Sequence, residues 1–237
     1  MIIIAEIGIN HNGYINLAHE LIRQAKLCGA DIVKFQFYDP DKIFGPHGTY
    51  PDKKNYEFAL TVQFNYKQAK TLKQWCDQEG IEFMASVFDS ERFEWIESLG
   101  VKRHKIASRA VQDKELCRKI LKTGKEAFIS LGFWKGRDVP YKNKNARYLY
   151  CVPKYPCEYA DIHLPASFAK SHYQGFSDHS IGIEVSLVAV AKGAGIIEKH
   201  FTLNKGMVGP DHICSMTPQE LSDLSRYARM MEKVVGR

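Results

Sequence analysis

Short runs of apolar and β-branched residues recur along the whole chain, and most of these runs are continuous rather than alternating with polar positions. A continuous apolar run is typical of a strand that is buried on both faces of a parallel sheet. The pattern predicts eight strands, at Ile2–Ile9, Asp31–Phe37, Glu82–Phe88, His104–Ser108, Ala127–Gly132, Arg147–Val152, Gly175–Ser177 and Gly195–Phe201.

Amphipathic stretches with helix boundary signals separate most of these predicted strands. Helices are expected after Asn16, after Asn65 and after Asp113, and the first two stretches end in a glycine of the kind that terminates helices. Asn65 and Gln68 have the spacing of a capping box. The last helix is expected to begin at Thr217–Glu220, which combines a cap, a proline in the first turn and a glutamate three residues on.

The alternation of strand and helix predicts parallel strands that are joined by right-handed crossovers. Eight such units in 237 residues match the usual size of a closed barrel better than that of an open sheet. We therefore expect an α/β fold, a (β/α)8 TIM barrel, with residues 1–237 forming one domain.

One crossover differs from the others, because the chain between the fifth and sixth predicted strands has no apolar helical period. The stretch Lys135–Arg147 contains five basic residues, one acid and one proline, so we expect its helix to be reduced or missing. One interpretation is a solvated basic loop. The other is that apolar strand surface is exposed here and covered by a second chain, in a homodimer or in a complex with another protein.

Composition limits the compartment and the classes of partner. No run of 18 or more apolar residues suggests a membrane span, and the apolar N-terminus becomes polar too soon for a secretory signal. Six scattered cysteines without a CxxC pair indicate reduced thiols, so we expect a cytoplasmic protein. The formal charge of +6 suits anionic small molecules, and it is too modest and dispersed to indicate nucleic acid.

Charged residues inside apolar strands indicate where chemistry is expected, since a TIM barrel forms its active site at the C-terminal ends of its strands. Glu6, Lys34 and Lys105 lie in the first, second and fourth predicted strands, and a buried charge is costly unless it is paired or used. The lysines either form structural ion pairs with acidic strand residues or hold a phosphate or carboxylate. Ser86 and Ser177, at the ends of the third and seventh strands, could donate hydroxyls to the same anion.

Two histidines stand near carboxylates at the ends of the seventh and eighth predicted strands. His179 follows Asp178, His200 lies two residues after Glu198, and a further acid, Asp211, comes in a Gly-Pro turn. A lone buried histidine is usually structural. Two of them at neighbouring strand ends, which emerge on the same side of a parallel sheet, indicate a divalent metal such as Mn, Fe, Co or Zn.

Motifs throughout the chain resemble one enzyme family, in the same order. They are AEIGINHNG, GADIVKFQ, KIAS, YCVPKYP, FSDHSIGIE and IIEKHFTLNKGMVGPDH. From Ile2 to about Met231, the chain is similar to the barrel domain of the sialic acid (N-acetylneuraminate) synthase family. The resemblance implies a transferase that condenses phosphoenolpyruvate with an open-chain aldose, usually N-acetylated. The products would be a 2-keto-3-deoxy sugar acid, or nonulosonic acid, and phosphate.

The resemblance also implies roles for individual residues. His179 and His200 match the manganese ligands of the family. Glu6 and Asp211 match acidic residues near the reacting centre and Tyr155 matches the tyrosine of a Tyr-Pro turn, so these three are the catalytic candidates. The positions that hold phosphoenolpyruvate correspond to Lys34, Ser86, Lys105, Ser108 and Ser177.

Three features depart from the family pattern. The family motif GSGE is replaced by Ala107–Ala110, which reads ASRA and lacks the glutamate. Tyr150 replaces a histidine, and Pro153 stands where the family often has Asn or Ser. Family members usually continue into a small antifreeze-like domain that offers an arginine to the sugar. Because the sequence ends at Arg237, we expect that domain to be absent and Arg109 to supply a replacement cation.

Three functional hypotheses follow. The leading one is a phosphoenolpyruvate-dependent synthase with an altered sugar acceptor. The second is another metal-dependent aldolase or lyase that acts on a 2-keto sugar acid. The third is a non-catalytic barrel, a binding or scaffold subunit that lost the glutamate at Ala110. The retention of several costly charged residues in otherwise apolar strands favours catalysis.

Overall fold

Eight parallel strands close into a barrel in which the spatial order of the strands is their order in the sequence. The structure is a computed structural model, and it describes residues 1–234. The prediction of a closed (β/α)8 barrel is confirmed. The strands are β1 (Ile2–Gly8), β2 (Ile32–Phe37), β3 (Glu82–Val87), β4 (Arg103–Ile106), β5 (Glu126–Ser130), β6 (Ala146–Cys151), β7 (Tyr173–Asp178) and β8 (Ile196–His200).

Helices surround the barrel, and their boundaries follow local capping chemistry. Asn65 and Gln68 form the predicted capping box, in which each side chain accepts a hydrogen bond from the backbone N–H of the other. The helix predicted after Asn16 begins earlier, without a side-chain cap. The α-helices of residues 1–234 are α1 (Ile15–Leu27), α2 (Pro40–Ile43), α3 (Lys53–Val62), α4 (Tyr66–Glu79), α5 (Ser90–Ser98), α6 (Lys114–Lys122), α7 (Glu184–Ala191) and α8 (Pro218–Val234).

Helices α2 and α3 belong to an insertion that the sequence pattern did not predict. They lie in residues 38–65, between β2 and α4, which we call the cap segment. Asp39 and Asp52 cap the two helices through their side chains. None of the helices in the described part of the chain is long and apolar enough to cross a membrane.

The crossover from β5 to β6 has no α-helix, as predicted. Its own side chains cover the strands instead, since Val139 and Tyr141 pack against the core and the Tyr141 hydroxyl donates a hydrogen bond to the Val111 carbonyl at 2.7 Å. A partner chain on this face stays a prediction.

The crossover from β6 to β7 also lacks an α-helix, which the sequence analysis did not predict. It contains only short 3₁₀ turns at Tyr159–Asp161 and Phe168–Lys170. Pro153, Pro156 and Pro165 fall in this stretch, and a proline inside a helix removes a hydrogen bond and clashes with the preceding turn.

The interior of the barrel is divided into an apolar half and a polar half. We call the apolar half the plug, and each of its side chains is at most 5% exposed: Ile4, Ile32, Met84, Phe128, Leu149 and Ile196. Glu6 follows Ile4 on the same face of β1, because side chains two apart on a strand point the same way. The polar half therefore lies above the plug, at the C-terminal ends of the strands.

A buried ion pair fastens the ends of β7 and β8 from outside the barrel. The Asp178 carboxylate lies 3.3 Å from the Lys199 ammonium, and both side chains are completely buried. Asp178 also accepts hydrogen bonds from the hydroxyls of Ser180 and Ser186, each at 2.6 Å. Side chains alternate along a strand, so the neighbours of Asp178 and Lys199 point into the barrel. The ion pair therefore stabilises the two strands that carry these inward polar residues.

We expect Lys199→Met to destabilise the protein by about 3–5 kcal/mol, because it leaves the Asp178 carboxylate buried without a cation. Equilibrium unfolding in urea measures the change. The matched control is Lys70→Met on α4, which removes an exposed lysine and should stay within about 0.5 kcal/mol of the wild type. Equal stability of the two variants would contradict the structural role of the pair.

Candidate active site

Side chains from the C-terminal ends of the strands surround one cavity above the plug, which we call the floor cavity. Nine of the ten predicted site residues line it: Glu6, Lys34, Ser86, Lys105, Ser108, Tyr155, Ser177, His179 and His200. Asp211, the tenth, lines an adjoining cavity. The fold thus brings the predicted residues together from widely separated positions in the sequence.

Lys34 lies at the centre of a network of short contacts on the floor. Its ammonium is 2.9 Å from a carboxylate oxygen of Glu6 and 3.5 Å from one of Glu198, and it donates to the Ser86 hydroxyl at 3.0 Å. Glu6 and Lys34 are neighbours because they are paired in the register of β1 and β2. Gln36, two residues further along β2, donates to Glu6 at 2.9 Å.

Lys105 completes the network from the other side of the barrel. Its ammonium donates to the Ser130 hydroxyl at 2.8 Å and lies 3.6 Å from the Glu198 carboxylate, which accepts from the Ser177 hydroxyl at 2.9 Å. Glu198 therefore lies between the two lysines, and all three side chains are at most 6% exposed. The structural ion pairs exist, and the same ammonium groups line a cavity that could hold an anion.

The network separates the pKa values of its two carboxyl groups. Burial alone would raise the pKa of Glu198, but Lys105 and Lys34 outweigh it and lower this pKa to about 2. Burial raises the pKa of Glu6, and Lys34 opposes the shift only in part. Burial also lowers the pKa of Lys105, whereas for Lys34 the carboxylates of Glu198 and Glu6 outweigh burial and raise the pKa. The net charge of the two lysines and the two glutamates is zero when all four are ionised. Protonation of Glu6 would therefore leave the floor with a net charge of +1.

The two histidines face each other beside this network. The centroids of the His179 and His200 rings are 5.7 Å apart. The Nδ1 atom of His179 is 2.8 Å from the Val152 carbonyl oxygen, which holds its proton and leaves Nε2 with a lone pair. Burial lowers the pKa of both imidazoles to about 4, so both are neutral at physiological pH. Neutral imidazoles are the form that binds metals.

These residues fit an open metal site with few protein ligands. The Nδ1 atom of His200 is buried without a hydrogen-bond partner, and it lies 3.8 Å from the Asp211 carboxylate. Residues 1–234 contain no group of three or more His, Cys, Asp or Glu side chains arranged to enclose an ion. Because two imidazoles leave coordination positions open, such a site suits a metal that binds substrate rather than a structural metal.

Tyr155 and Asp211 stand where the floor cavity meets the space above it. The Tyr155 ring packs against His179, with 4.0 Å between centroids, and contacts His200 edge-on at 5.8 Å. The Asp211 side chain is only 13% exposed. Burial raises the pKa of Asp211, and the neighbouring His200 opposes the shift.

A second cavity of about 320 Å³ lies directly above the floor cavity, in the size range of small-molecule sites. We call it the upper cavity. It shares Gln36, Ala107, Ser108 and Tyr155 with the floor cavity, so the two spaces adjoin. The cap segment forms one wall of the upper cavity through Ile43, Phe44, Asn55 and Phe58.

Sequence analysis missed several members of the floor cavity as site residues. Glu198 is named there only as an acid near His200 and Gln36 is not named, although each shares a strand face with a predicted site residue, His200 or Lys34. Ser130 and Cys151 were not singled out. The only feature of the sequence that could have identified them is a polar or thiol side chain at the last residue of a strand. This indication is weak, because many strands of any barrel end in such a residue.

Comparisons with known proteins agree on one family. A model of the NeuB family matches residues 21–237. The chain is 34% identical to N,N'-diacetyllegionaminic acid synthase of Legionella pneumophila over 99% of its own length and 73% of the relative. It is 33% identical to human N-acetylneuraminate-9-phosphate synthase over 99% of its length and 71% of that protein. The structure resembles the N-acetylneuraminic acid synthetase of Leptospira borgpetersenii with a TM-score of 0.91 and 32% identity, covering 99% of this chain and 85% of that one.

The lowered pKa of His179 predicts a specific loss of stability in acid. The folded-state pKa is about 4, against the ordinary 6.5, so below pH 6.5 the unfolded chain binds a proton that the folded protein does not. The contribution of neutral His179 to the free energy of unfolding is therefore fully present above pH 6.5, and it is lost as the pH falls to about 4.

We expect His179→Gln to lack this loss. In EDTA-treated protein, the difference in unfolding free energy between wild type and variant should shrink by about 3 kcal/mol as the pH falls across this interval. The exposed His172 provides the control variant His172→Gln, whose difference from wild type should change little. A constant difference for His179→Gln would contradict the prediction.

Proposed function

The chain belongs to the NeuB family, and from that membership we propose that it condenses phosphoenolpyruvate with an open-chain aldose. The products are a 2-keto-3-deoxy sugar acid of the nonulosonic type and phosphate. The observation that carries the proposal is the convergence of two buried ammonium groups and two neutral imidazoles around one cavity, with a larger cavity open above it.

Phosphoenolpyruvate fits the floor cavity by charge. Its phosphate and carboxylate would lie against the ammonium groups of Lys34 and Lys105, which act as point charges for such oxygens. Hydroxyls surround the same space and can donate to the remaining oxygens: Ser86, Ser108, Ser130 and Ser177. Before the substrate binds, Glu6 and Glu198 compensate the buried ammonium groups, so both ammonium groups are held in position in advance.

His179 and His200 would hold a divalent metal, for which Mn²⁺ is the candidate. When bound, the metal polarises and orients the aldehyde carbonyl. The residues of the chain supply the rest of the site: Tyr155 packs over the His179 ring and borders both substrate spaces. The acceptor would occupy the upper cavity, with its aldehyde end directed down toward the imidazoles.

The reaction forms one carbon–carbon bond and one carbon–oxygen bond, from water to C2, and it breaks the carbon–oxygen bond between C2 and the phosphate. The C2=C3 electron pair of phosphoenolpyruvate attacks the aldehyde carbon, and the carbonyl electrons move to its oxygen, which takes a proton. Water adds to C2 and loses a proton. The hydroxyl proton of the resulting hemiketal passes to the leaving phosphate as the C2–O bond to phosphate breaks, which leaves the 2-keto acid and inorganic phosphate.

The two carboxyl groups are suited to the proton transfers. Asp211 borders the upper cavity beside His200, where the new alkoxide forms, and its raised pKa favours a bound proton that it can donate. Glu6 lies on the floor near the phosphoenolpyruvate space, and its raised pKa makes its carboxylate the stronger base toward water. Gln36 orients Glu6 through the 2.9 Å hydrogen bond.

We expect the protein with Mn²⁺ to release phosphate from phosphoenolpyruvate only when an aldose acceptor is present. A panel of aldoses and N-acetylated amino sugars, assayed with and without EDTA, measures this directly. His200→Gln should behave like the EDTA-treated wild type, and His172→Gln should behave like the untreated protein. Failure with every aldose, together with no uptake of Mn²⁺, would favour a non-catalytic barrel.

We expect Lys105→Met to raise the KM for phosphoenolpyruvate about 10- to 100-fold, the effect of losing one charged hydrogen bond. The matched control is Lys102→Met, three residues earlier and exposed, which should leave the KM unchanged. Initial rates at saturating acceptor give both values, and the melting temperature verifies that each variant is folded. An unchanged KM in Lys105→Met would place the enol phosphate elsewhere.

A further inference from the structure

Arg109 is a cation in the wall of the upper cavity that the proposed reaction does not use. It lies in the 3₁₀ turn Ser108–Ala110, directly after β4. The turn is fixed from below, because the Ser108 hydroxyl accepts a hydrogen bond from the backbone N–H of Phe133 at 2.8 Å. The backbone that carries Arg109 is therefore anchored at the junction of the two cavities.

Aromatic rings of the cap segment hold the Arg109 guanidinium. It lies 5.4 Å from the centroid of Phe44 and 4.8 Å from that of Tyr50, within the range of a cation–π contact. A cation–π contact uses none of the five N–H donors of the guanidinium. The two rings therefore help to position the group without consuming its hydrogen bonds.

The guanidinium of Arg109 has no hydrogen-bond or ion-pair partner within residues 1–234. Three other arginines, Arg92, Arg103 and Arg147, are also half-buried, and each forms an ion pair with a glutamate at 2.7–3.2 Å. Asp211 borders the same cavity and is close enough for the Arg109 charge to oppose the rise in its pKa, but no ion pair joins the two side chains. The half-buried Arg109 guanidinium has thus lost part of its hydration without an ion-pair partner to replace it.

The rest of the upper cavity offers little other charge. Its wall is largely apolar, with Ile9, Ile43, Phe58, Phe88 and Phe133 among the lining residues. In a mostly apolar cavity a few polar groups determine ligand orientation and specificity. Arg109 is the only cationic side chain among the described residues that line this cavity.

We propose that the acceptor carries an anionic group, a phosphate monoester or a carboxylate, that binds Arg109 in the upper cavity. The planar fork of an arginine matches both groups in two parallel hydrogen bonds. This inference rests on the proposed function, since it assigns the upper cavity to the acceptor. It makes Arg109 a specificity-determining residue that selects charged sugars over neutral ones.

Calorimetric titration of acceptors tests the inference without catalysis, because phosphoenolpyruvate is left out while Mn²⁺ is present. The probes are N-acetylmannosamine, its 6-phosphate and the corresponding 6-carboxylate. We expect the wild type to bind at least one charged sugar about 10- to 100-fold more tightly than the neutral one. The tighter of the two charged sugars identifies the anionic group.

Variants separate recognition of the anion from support of the cap segment. Arg109→Gln keeps a planar amide that can lie over the same rings, and it should lose the preference for the charged sugar while its affinity for the neutral sugar stays the same. Arg109→Lys should retain part of the preference. The matched control is Arg226→Gln on α8, which removes an exposed arginine outside the cavity and should bind like the wild type.

Two outcomes would overturn the inference. One is equal affinity of the wild type for neutral and charged sugars. The other is an equal loss of affinity for all sugars in Arg109→Gln, which would mean that Arg109 only holds the cap segment in place. Either result, combined with phosphate release from phosphoenolpyruvate and a neutral aldose, would leave the proposed function intact. Absence of phosphate release with every acceptor would instead contradict the proposed function itself.

Discussion

The structure depends on the compensation of charges that are buried inside the barrel. Glu198 lies between Lys34 and Lys105, so neither ammonium group is left alone above the apolar plug. Without Glu198, Lys34 would keep Glu6 as its partner, but Lys105 would be buried without a carboxylate, repelled by Lys34 and carrying an uncompensated penalty of desolvation. The same arrangement determines the chemistry, because charges that are already desolvated and fixed in position act strongly on a bound molecule.

Because side chains alternate along β7 and β8, each strand contributes residues both to the site inside the barrel and to the ion pair outside it. Inward positions place Ser177, Glu198 and His200 in the site, while the outward Asp178 and Lys199 form the buried pair beneath α7. A shift of either strand by one residue would exchange the two sets. The outer ion pair therefore supports the inner geometry, since it fits only one register of the two strands.

Much of the fold could be predicted because its strands are buried on both faces and read as continuous apolar runs. The missing helix before β6 was visible in Lys135–Arg147, where no apolar period exists. The cap segment was not visible, because α2 is only four residues long and α3 has few buried residues. In the site, charge inside an apolar strand revealed Lys34 and Lys105. Ser130 escaped notice because its contact with Lys105 depends on the stagger between neighbouring strands, which local sequence does not encode.

The stacking of the two cavities has a kinetic consequence for the proposed reaction. The plug closes the barrel below Glu6, and the floor cavity shares Gln36, Ser108 and Tyr155 with the upper cavity. Within the described part of the chain, the floor cavity is thus bounded below by the plug and bordered above by the upper cavity. A sugar bound in the upper cavity would obstruct a ligand that enters the floor cavity after it. In the proposed reaction the enol phosphate would therefore have to bind before the sugar, and excess sugar would inhibit the empty enzyme.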